Sequence, residues 1–359
     1  MKFRIAALVA LTGLILASPI YAQLYSVTDI GNFGGSYSEA NGMSPDGTNV
    51  IGDSEYPGNI DHGYSYTGGV LNDLGTMGGG NTSFGNKANN SGTIVGDANI
   101  TPFGEPLAFS YSGGVMTNLG SLGGSYSDAL GINSAGTIAG FSYTTGNAAQ
   151  HAFSYSGGVM TDIGTLGGAT SEALAINDSG TIVGDSYTSG GQDHAFSYSG
   201  GVMTDIGTLG GTYSYAYNLN NAGTIVGVST LANGNQHAFS YTGGVMTDLG
   251  TLGGTYSEAW DIDSNGDIVG DSTTASGRDH AFLYTGGVMI DLTTLLDASG
   301  TDWTVNVATG IGDNGDIAGN GVDPDGDDEP FLLTPSPEPS TCAMLIGGLG
   351  LLGFVVRRS

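Results

Sequence analysis

The stretch HAFSYSGGVMTDIGTLGG, from His151 to Gly168, recurs letter for letter from His194 to Gly211. With two changes it returns from His237 to Gly254 as HAFSYTGGVMTDLGTLGG. Self-similarity at a fixed period marks a repeat architecture, in which each copy is one supersecondary unit. The fold therefore turns on what one copy makes.

Outward from these copies, the anchor (D/N)(L/I)(G/T) returns with Asp29, Asp73, Asn118, Asp162, Asp205, Asp248 and Asp291 in first place, 43 to 45 residues apart. HAF-like segments also number seven: at His62, at Leu107 (LAF), at His151, His194, His237 and His280, and at Glu329 (EPFLL). Between them runs a third element, such as ALAINDSGTIVGDS from Ala173. One copy parses into four strands, SEALAIN, TIVGDS, HAFSYS and VMTDIG, with NDSG, SYTSGGQD and SGG as connections. Asn, Asp and Gly turns of this kind close hairpins. Four short strands per repeat of about 40–45 residues is the signature of a propeller blade. A parallel β-helix fits less well, because its coils are shorter and lack repeated tight hairpins.

Strand alternation puts His151, Phe153 and Tyr155 on one face, with Ala152 and Ser154 on the other. A sheet bulky on one face and small on the other can stack on its own copy. Phase suggests closure. LYSVTDIG near the start reads as a fourth strand, and EPFLLTP near the end reads as a third. The expected fold is all-β, a seven-bladed β-propeller of four-stranded blades over residues 23–334, its N-terminal strand completing the last blade. The last copy departs from the rest. IDLTTLLDASGTDWTVNVATGIGDNG is longer and carries Trp303, a candidate binding-loop residue.

The two ends read as targeting segments. Lys2 and Arg4 precede the apolar run IAALVALTGLILA, and SPIYA offers cleavage after Ala22, so residues 1–22 read as a signal peptide. Residues 335–359 hold a Pro-rich spacer, an apolar stretch from Ala343 to Val356, and the pair Arg357 and Arg358. That stretch is shorter than the ~20 residues that span a bilayer, and the arginines favour the cytoplasmic side. It reads as a short sorting tail that associates transiently with the inner membrane.

Charge narrows the partners. The chain has 34 acidic residues, 6 Lys and Arg, and a formal net charge of −28. Between the end segments the only basic side chains besides histidine are Lys87 and Arg278. Nucleic acid is excluded as a partner, since phosphate neutralisation requires clustered basic groups. Cys342, in the tail, is the only cysteine, so thiolate metal sites and disulfides are excluded from the repeats.

The repeats HAFSYSGGVMTDIGTLGG and INDSGTIVGDS resemble those of the HAF-repeat family of bacterial extracellular proteins, over roughly residues 24–333. The tail PEPSTCAMLIGGLGLLGFVVRRS resembles a PEP-CTERM sorting signal, with Pro337, Glu338 and Pro339 as its motif and Arg357 and Arg358 at its end. Cys342 stands where an aromatic residue is usual. The resemblance implies a Gram-negative envelope, an exosortase-type enzyme as partner, and export to the outer surface or exopolysaccharide matrix.

Candidate chemistry is sparse. His62, His194 and His280 each follow an Asp, but strand neighbours point to opposite faces, so the five histidines read as packing residues. DIDSNGDI, with Asp261, Asp263, Asn265 and Asp267, partly matches a calcium loop, yet Ser272 stands where the bidentate Glu belongs. DPDGDDE is a denser run, and Asp323, Asp325 and Asp327 are the weak calcium candidates. There is no nucleophile elbow, phosphate loop or zinc spacing, so neither a catalytic residue nor a cofactor is assigned. Near-identical copies supply one residue seven times, whereas an active site needs unlike residues. The differences between copies are GNKANNSG, Trp260, the Trp303 insertion and the acidic terminal loop. The reading is a non-catalytic component of the cell surface or matrix, with polysaccharide or surface components as partners. The alternatives are a lectin-like glycan binder and an ice- or mineral-binding surface.

Overall fold

The computed structural model describes residues 23–336. Among the described residues it is an all-β structure in which helix is confined to three short 3-10 turns. Residues 1–22, read as a signal peptide, and the tail from Pro337 onward lie outside the described residues.

One repeat shows how the sequence builds a sheet. Strands Gly123–Ile132, Ile138–Thr144, Gln150–Ser156 and Val159–Gly164 form a four-stranded antiparallel sheet in chain order. The last hairpin turns at Gly157 and Gly158, whose φ of 59° and 84° are both positive, as a type I′ turn requires. The first strand is longer than the motif alone suggests. It begins at the GG pair, and the corresponding asparagine, Asn133, falls in the following turn.

The other units follow the same plan, over residues 38–73, 83–120, 167–207, 210–248 and 253–291. A single parallel pair, Gln236 with Tyr256, joins the last two. Numbered in chain order, residues 123–164 are unit 3, and residues 304–335 supply three strands of unit 7. Its fourth is Tyr25–Asp29, antiparallel to Asp328–Pro335 with Tyr25 opposite Pro335 and Asp29 opposite Phe331. Each unit packs on the next in sequence. The first strand of unit 1, Ser38–Met43, packs on all three C-terminal strands of unit 7.

Packing between units is large against small. Phe153 is fully buried with Val95, Ala108 and Leu119 of unit 2. On the opposite face Ala152 meets Phe196 of unit 4. Phe109, Phe153, Phe196, Phe239, Phe282 and Phe331 are all fully buried, with Tyr64 in the equivalent place of unit 1. Each such ring is worth about 2–3 kcal/mol in burial. Space for it comes from the glycine opposite. A Cβ on Gly140 would stand 2.0 Å from the Asp128 carbonyl oxygen and 2.9 Å from the Phe153 ring.

Buried serines stitch each unit to the one before. Ser171 donates from Oγ to the Gly164 carbonyl (2.6 Å) and accepts from the Ala152 amide (2.9 Å). Both partners flank a bulge where the unit 3 ladder is irregular, so the serine satisfies groups the ladder serves poorly. Ser83, Ser127, Ser214 and Ser257 repeat the arrangement. Unit 7 has the buried Val305 at this place. There the insertion supplies packing, since Leu292, Leu295 and Trp303 join Tyr25, Phe331 and Leu333 in one cluster.

Replacing Ser171 by Ala strands two buried backbone groups and is expected to cost about 2 kcal/mol in denaturant unfolding. Gly184→Ala, whose Cβ would lie 1.9 Å from the Glu172 carbonyl oxygen, is expected to cost more. Equal stability of both variants to the parent would contradict this packing.

Candidate functional site

Every unit's first strand carries a bulge just before its end. In unit 3, Ala129 pairs with Gly140 and Gly131 with Ala139, which leaves Leu130 out of the ladder. The residues left out in units 1 to 7 are Asn41, Asn86, Leu130, Leu174, Tyr217, Trp260 and Thr309. A bulge re-aims its side chain, and all seven are partly exposed and line one cavity of about 370 Å³.

Otherwise alike, the copies are unlike here. Units 3 to 6 contribute an apolar and aromatic arc; units 7, 1 and 2 contribute a polar one. Tyr217 and Trp260 stack with ring centroids 4.3 Å apart and planes 7° from parallel. The residue after each bulge also differs: Gly42, Lys87, Gly131, Ala175, Asn218, Asp261 and Gly310. Lys87 reaches Asp261, from unit 2 to unit 6, with Nζ 3.1 Å from Oδ2. Gly42 leaves room for it, since a Cβ there would stand 3.1 Å from Lys87 Cδ. Asp261 also accepts from Asn218 Nδ2 and from the amides of Ile262 and Ile311, so its buried charge is well compensated.

Behind this wall lie carboxyls. Asn41 Nδ2 donates to Asp53 (2.8 Å), Asn86 Nδ2 to Asp128 (2.9 Å), Trp260 Nε1 to Asp271 (2.8 Å) and Tyr217 Oη to Glu258 (3.3 Å). Burial pushes Asp53 and Asp271 up to about 7 and Asp185 up to about 9. Asp97 and Asp128, close to one another, are also raised, first by burial. One end of the cavity is bounded by a side-chain ladder. Asn89, Asn133, Asn177 and Asn220 each donate from Nδ2 to a carbonyl in the next unit's turn, at 3.0–3.1 Å.

The histidines are placed differently from expectation. Each bonds through Nδ1 to the Asp eleven residues later: His62 to Asp73, His151 to Asp162, His194 to Asp205, His237 to Asp248 and His280 to Asp291, at 2.7–3.0 Å. The adjacent aspartates considered from sequence are not the partners. Phe153 lies opposite Asp162, which makes His151 and Asp162 diagonal neighbours on one face. The second carboxylate oxygen accepts the Gly164 amide at 2.8 Å. Where histidine is replaced by Leu107, the acid is replaced by Asn118, which keeps that amide bond to Gly120 without an unpaired charge.

Other sequence candidates also find structural places. Trp303, expected in a binding loop, is instead buried at 8% exposure, its ring edge-on to Phe331 at 6.4 Å. It fills the seventh core, so it is not free to present itself to a ligand. Asp323 Oδ1 accepts the amides of Asp325, Gly326 and Asp327, capping its own turn. Asp263 caps the DIDSNGDI turn likewise. Among the described residues, no group of three His, Cys, Asp or Glu is disposed to hold a metal ion. The sorting residues Pro337, Glu338, Pro339, Arg357 and Arg358 lie outside the described residues.

Comparison with known proteins identifies the tail. The PEP-CTERM protein-sorting motif matches residues 337–359, which indicates a secreted, surface-sorted protein and implies processing by an exosortase-type enzyme. No curated protein matches the chain. Among solved structures, a puromycin-hydrolyzing peptidase of Mycobacterium tuberculosis is similar, with TM-score 0.55, 11% identity, and coverage of 86% of this chain and 54% of that one. TolB from Acinetobacter baumannii gives 0.45, 12%, 82% and 66%. The β-propeller domain of the Trilobed protease from Pyrococcus furiosus gives 0.42, 12%, 58% and 67%. The chain thus spans about half of the peptidase and 66% of TolB. At these identities the likeness concerns a propeller-like all-β fold alone. Among the described residues, no helix is long and apolar enough to cross a membrane.

Removing the lysine should expose the cost of its partner. Lys87→Met is expected to destabilise by about 3 kcal/mol, and Lys87→Met with Asp261→Asn by much less. Additive losses in a double-mutant cycle would show that the pair does not couple across the cavity. The buried acids set the sign of a pH dependence. Their carboxyls are raised in the fold, so the stability they contribute is complete below the unfolded value of about 4 and is lost as pH rises through 7 to 9. Calorimetry should give a higher Tm near pH ~5 than near pH ~9, with Asp185→Asn flattening the difference. A Tm that climbs steadily over that range would refute the assignment.

Proposed function

We propose that this chain is a closed seven-bladed propeller of the HAF-repeat kind, exported as a non-catalytic structural or binding component of the bacterial surface or exopolysaccharide matrix. The observation that carries the ring is the cavity, to which all seven units bring the same strand end. Two further observations support it: the pairing of Tyr25–Asp29 with Asp328–Pro335, and the packing of unit 1 on unit 7. Sharing the last blade between the two ends leaves no unpaired terminal strand at that sheet.

Support for a non-catalytic role is chemical. The cavity's Lys87 and Asp261 neutralise one another, and the same His–Asp pair recurs in five of the seven units, as scaffold features do. Export rests on the sorting motif. The large negative charge suits a hydrated matrix and disfavours direct contact with an anionic polymer. A lectin-like role gains one specific observation, the Tyr217–Trp260 stack on the cavity wall. The ice- or mineral-binding alternative gains none.

Mass spectrometry of the protein from envelope and matrix fractions tests the sorting. The expected mature species has lost its tail near Pro339 and accumulates outside the cell. Protein that keeps Ser359 and stays in the inner membrane would overturn the reading.

A further inference from the structure

We propose that the cavity binds a small neutral carbohydrate, one sugar ring lying with its C–H face against the apolar wall of Leu130, Leu174, Tyr217 and Trp260 and giving hydroxyl protons to the opposite arc. The inference rests on the ring proposed above and adds the ligand class to it.

Divergence among the copies is the first ground. Scaffold positions repeat almost without change, as the phenylalanines, glycines and serines do, because each must make the same contact seven times. The bulge residue and its successor are freed from that requirement, and there the copies part. Their differences are also ordered around the cavity. Leu130, Leu174, Tyr217 and Trp260 come from four consecutive units, while Thr309, Asn41 and Asn86 come from the other three. Random drift in a structural plug would not sort apolar from polar side by side.

Hydrogen-bond polarity is the second ground. Asn41 Nδ2 is held by the Gly85 carbonyl at 3.0 Å as well as by Asp53, and Asn86 Nδ2 by the Ala129 carbonyl at 3.1 Å as well as by Asp128. A main-chain carbonyl can only accept, so both amides are fixed with nitrogen to the wall. Their Oδ1 atoms remain as acceptors. Thr309 likewise spends its hydroxyl proton on the Ala40 carbonyl at 2.8 Å and keeps only lone pairs. A ligand that meets this arc must donate.

Three constraints choose among donors. A saccharide ring offers hydroxyls at its rim and an apolar face that suits a wall of aliphatic and aromatic side chains. A cationic ligand would share the cavity with the Lys87 ammonium, whose partner Asp261 is already engaged. An anion would find the one ammonium in the cavity, Lys87, already held by Asp261. Volume agrees: about 370 Å³ sits at the small end of ligand sites, which run from roughly 300 to 1,000 Å³.

The chain has two tryptophans, so Trp303→Phe leaves Trp260 as the sole indole reporter. The full chain in that background is titrated with glucose, galactose, mannose, N-acetylglucosamine and cellobiose, and with choline and glucuronate as charged probes. At least one neutral sugar should change Trp260 emission saturably, and neither charged probe should do so more tightly. Asn86→Leu, which keeps every scaffold contact of the phenylalanines and serines, should weaken that binding about tenfold or more, with the fold checked by its melting transition. Trp260→Leu, followed by calorimetry, should do the same. No response to any of the five sugars, tighter binding of choline or glucuronate, or affinity unmoved by Asn86→Leu would each overturn the proposal. The Lys87–Asp261 cycle reports the ring without any ligand: coupling with no sugar bound removes this inference alone, and absence of coupling removes the ring as well.

Discussion

An aromatic ring lying on a glycine, and driven into small and branched apolar side chains of the preceding sheet, recurs at every interface between units. The Gly140 position shows why no larger residue fits, with the Asp128 carbonyl 2.0 Å and the Phe153 ring 2.9 Å from where a Cβ would be. That carbonyl comes so close because the first strand bulges at Ala129 and Gly131. The same bulge ejects residue 130 from the ladder. Core packing and the cavity wall thus have one geometric origin, and a unit cannot seat its phenylalanine without also turning a side chain toward the cavity.

Positions that serve the contact between units repeat, and positions released by the bulge vary. Aspartate in the DIG motif shows how tightly the first kind is held. Its carboxylate receives a histidine Nδ1 on one side and a glycine amide on the other. Losing the histidine at Leu107 goes with losing the charge at Asn118, while the amide bond stays. Unit 7 instead keeps the acid, Asp29, with Glu329 in the histidine's place, and burial and then the Asp29 charge raise the Glu329 carboxyl. In five of the seven units the histidine therefore orients and compensates an acid at the outer hairpin.

Much of this was legible beforehand, and the misreadings have definite causes. The period, the four strands and the large-against-small faces follow from spacing and alternation, which depend on local geometry. Adjacency in sequence points each histidine to Asp61, Asp193 or Asp279, whereas a hairpin places residues eleven apart side by side. The paired change at Leu107 and Asn118 was the signal available. Trp303 was misplaced because an insertion reads as a loop; in the fold it packs where the two ends of the chain share a sheet. Lys87 and Trp260 depart from the repeat pattern, but nothing in the sequence tells that they border the same space.

By itself, the sequence determined the unit: its four strands, the I′ turn at paired glycines, the bulky and small faces, and the sorting tail. These are settled by contacts within about forty residues, where chain order and spatial order agree. Tertiary structure alone decided which unlike residues meet. Lys87 and Asp261 lie 174 positions apart and touch because intervening sheets bring their strand ends to one cavity. No period in a sequence encodes that encounter, since it depends on how many units accumulate and how far each turns relative to the last.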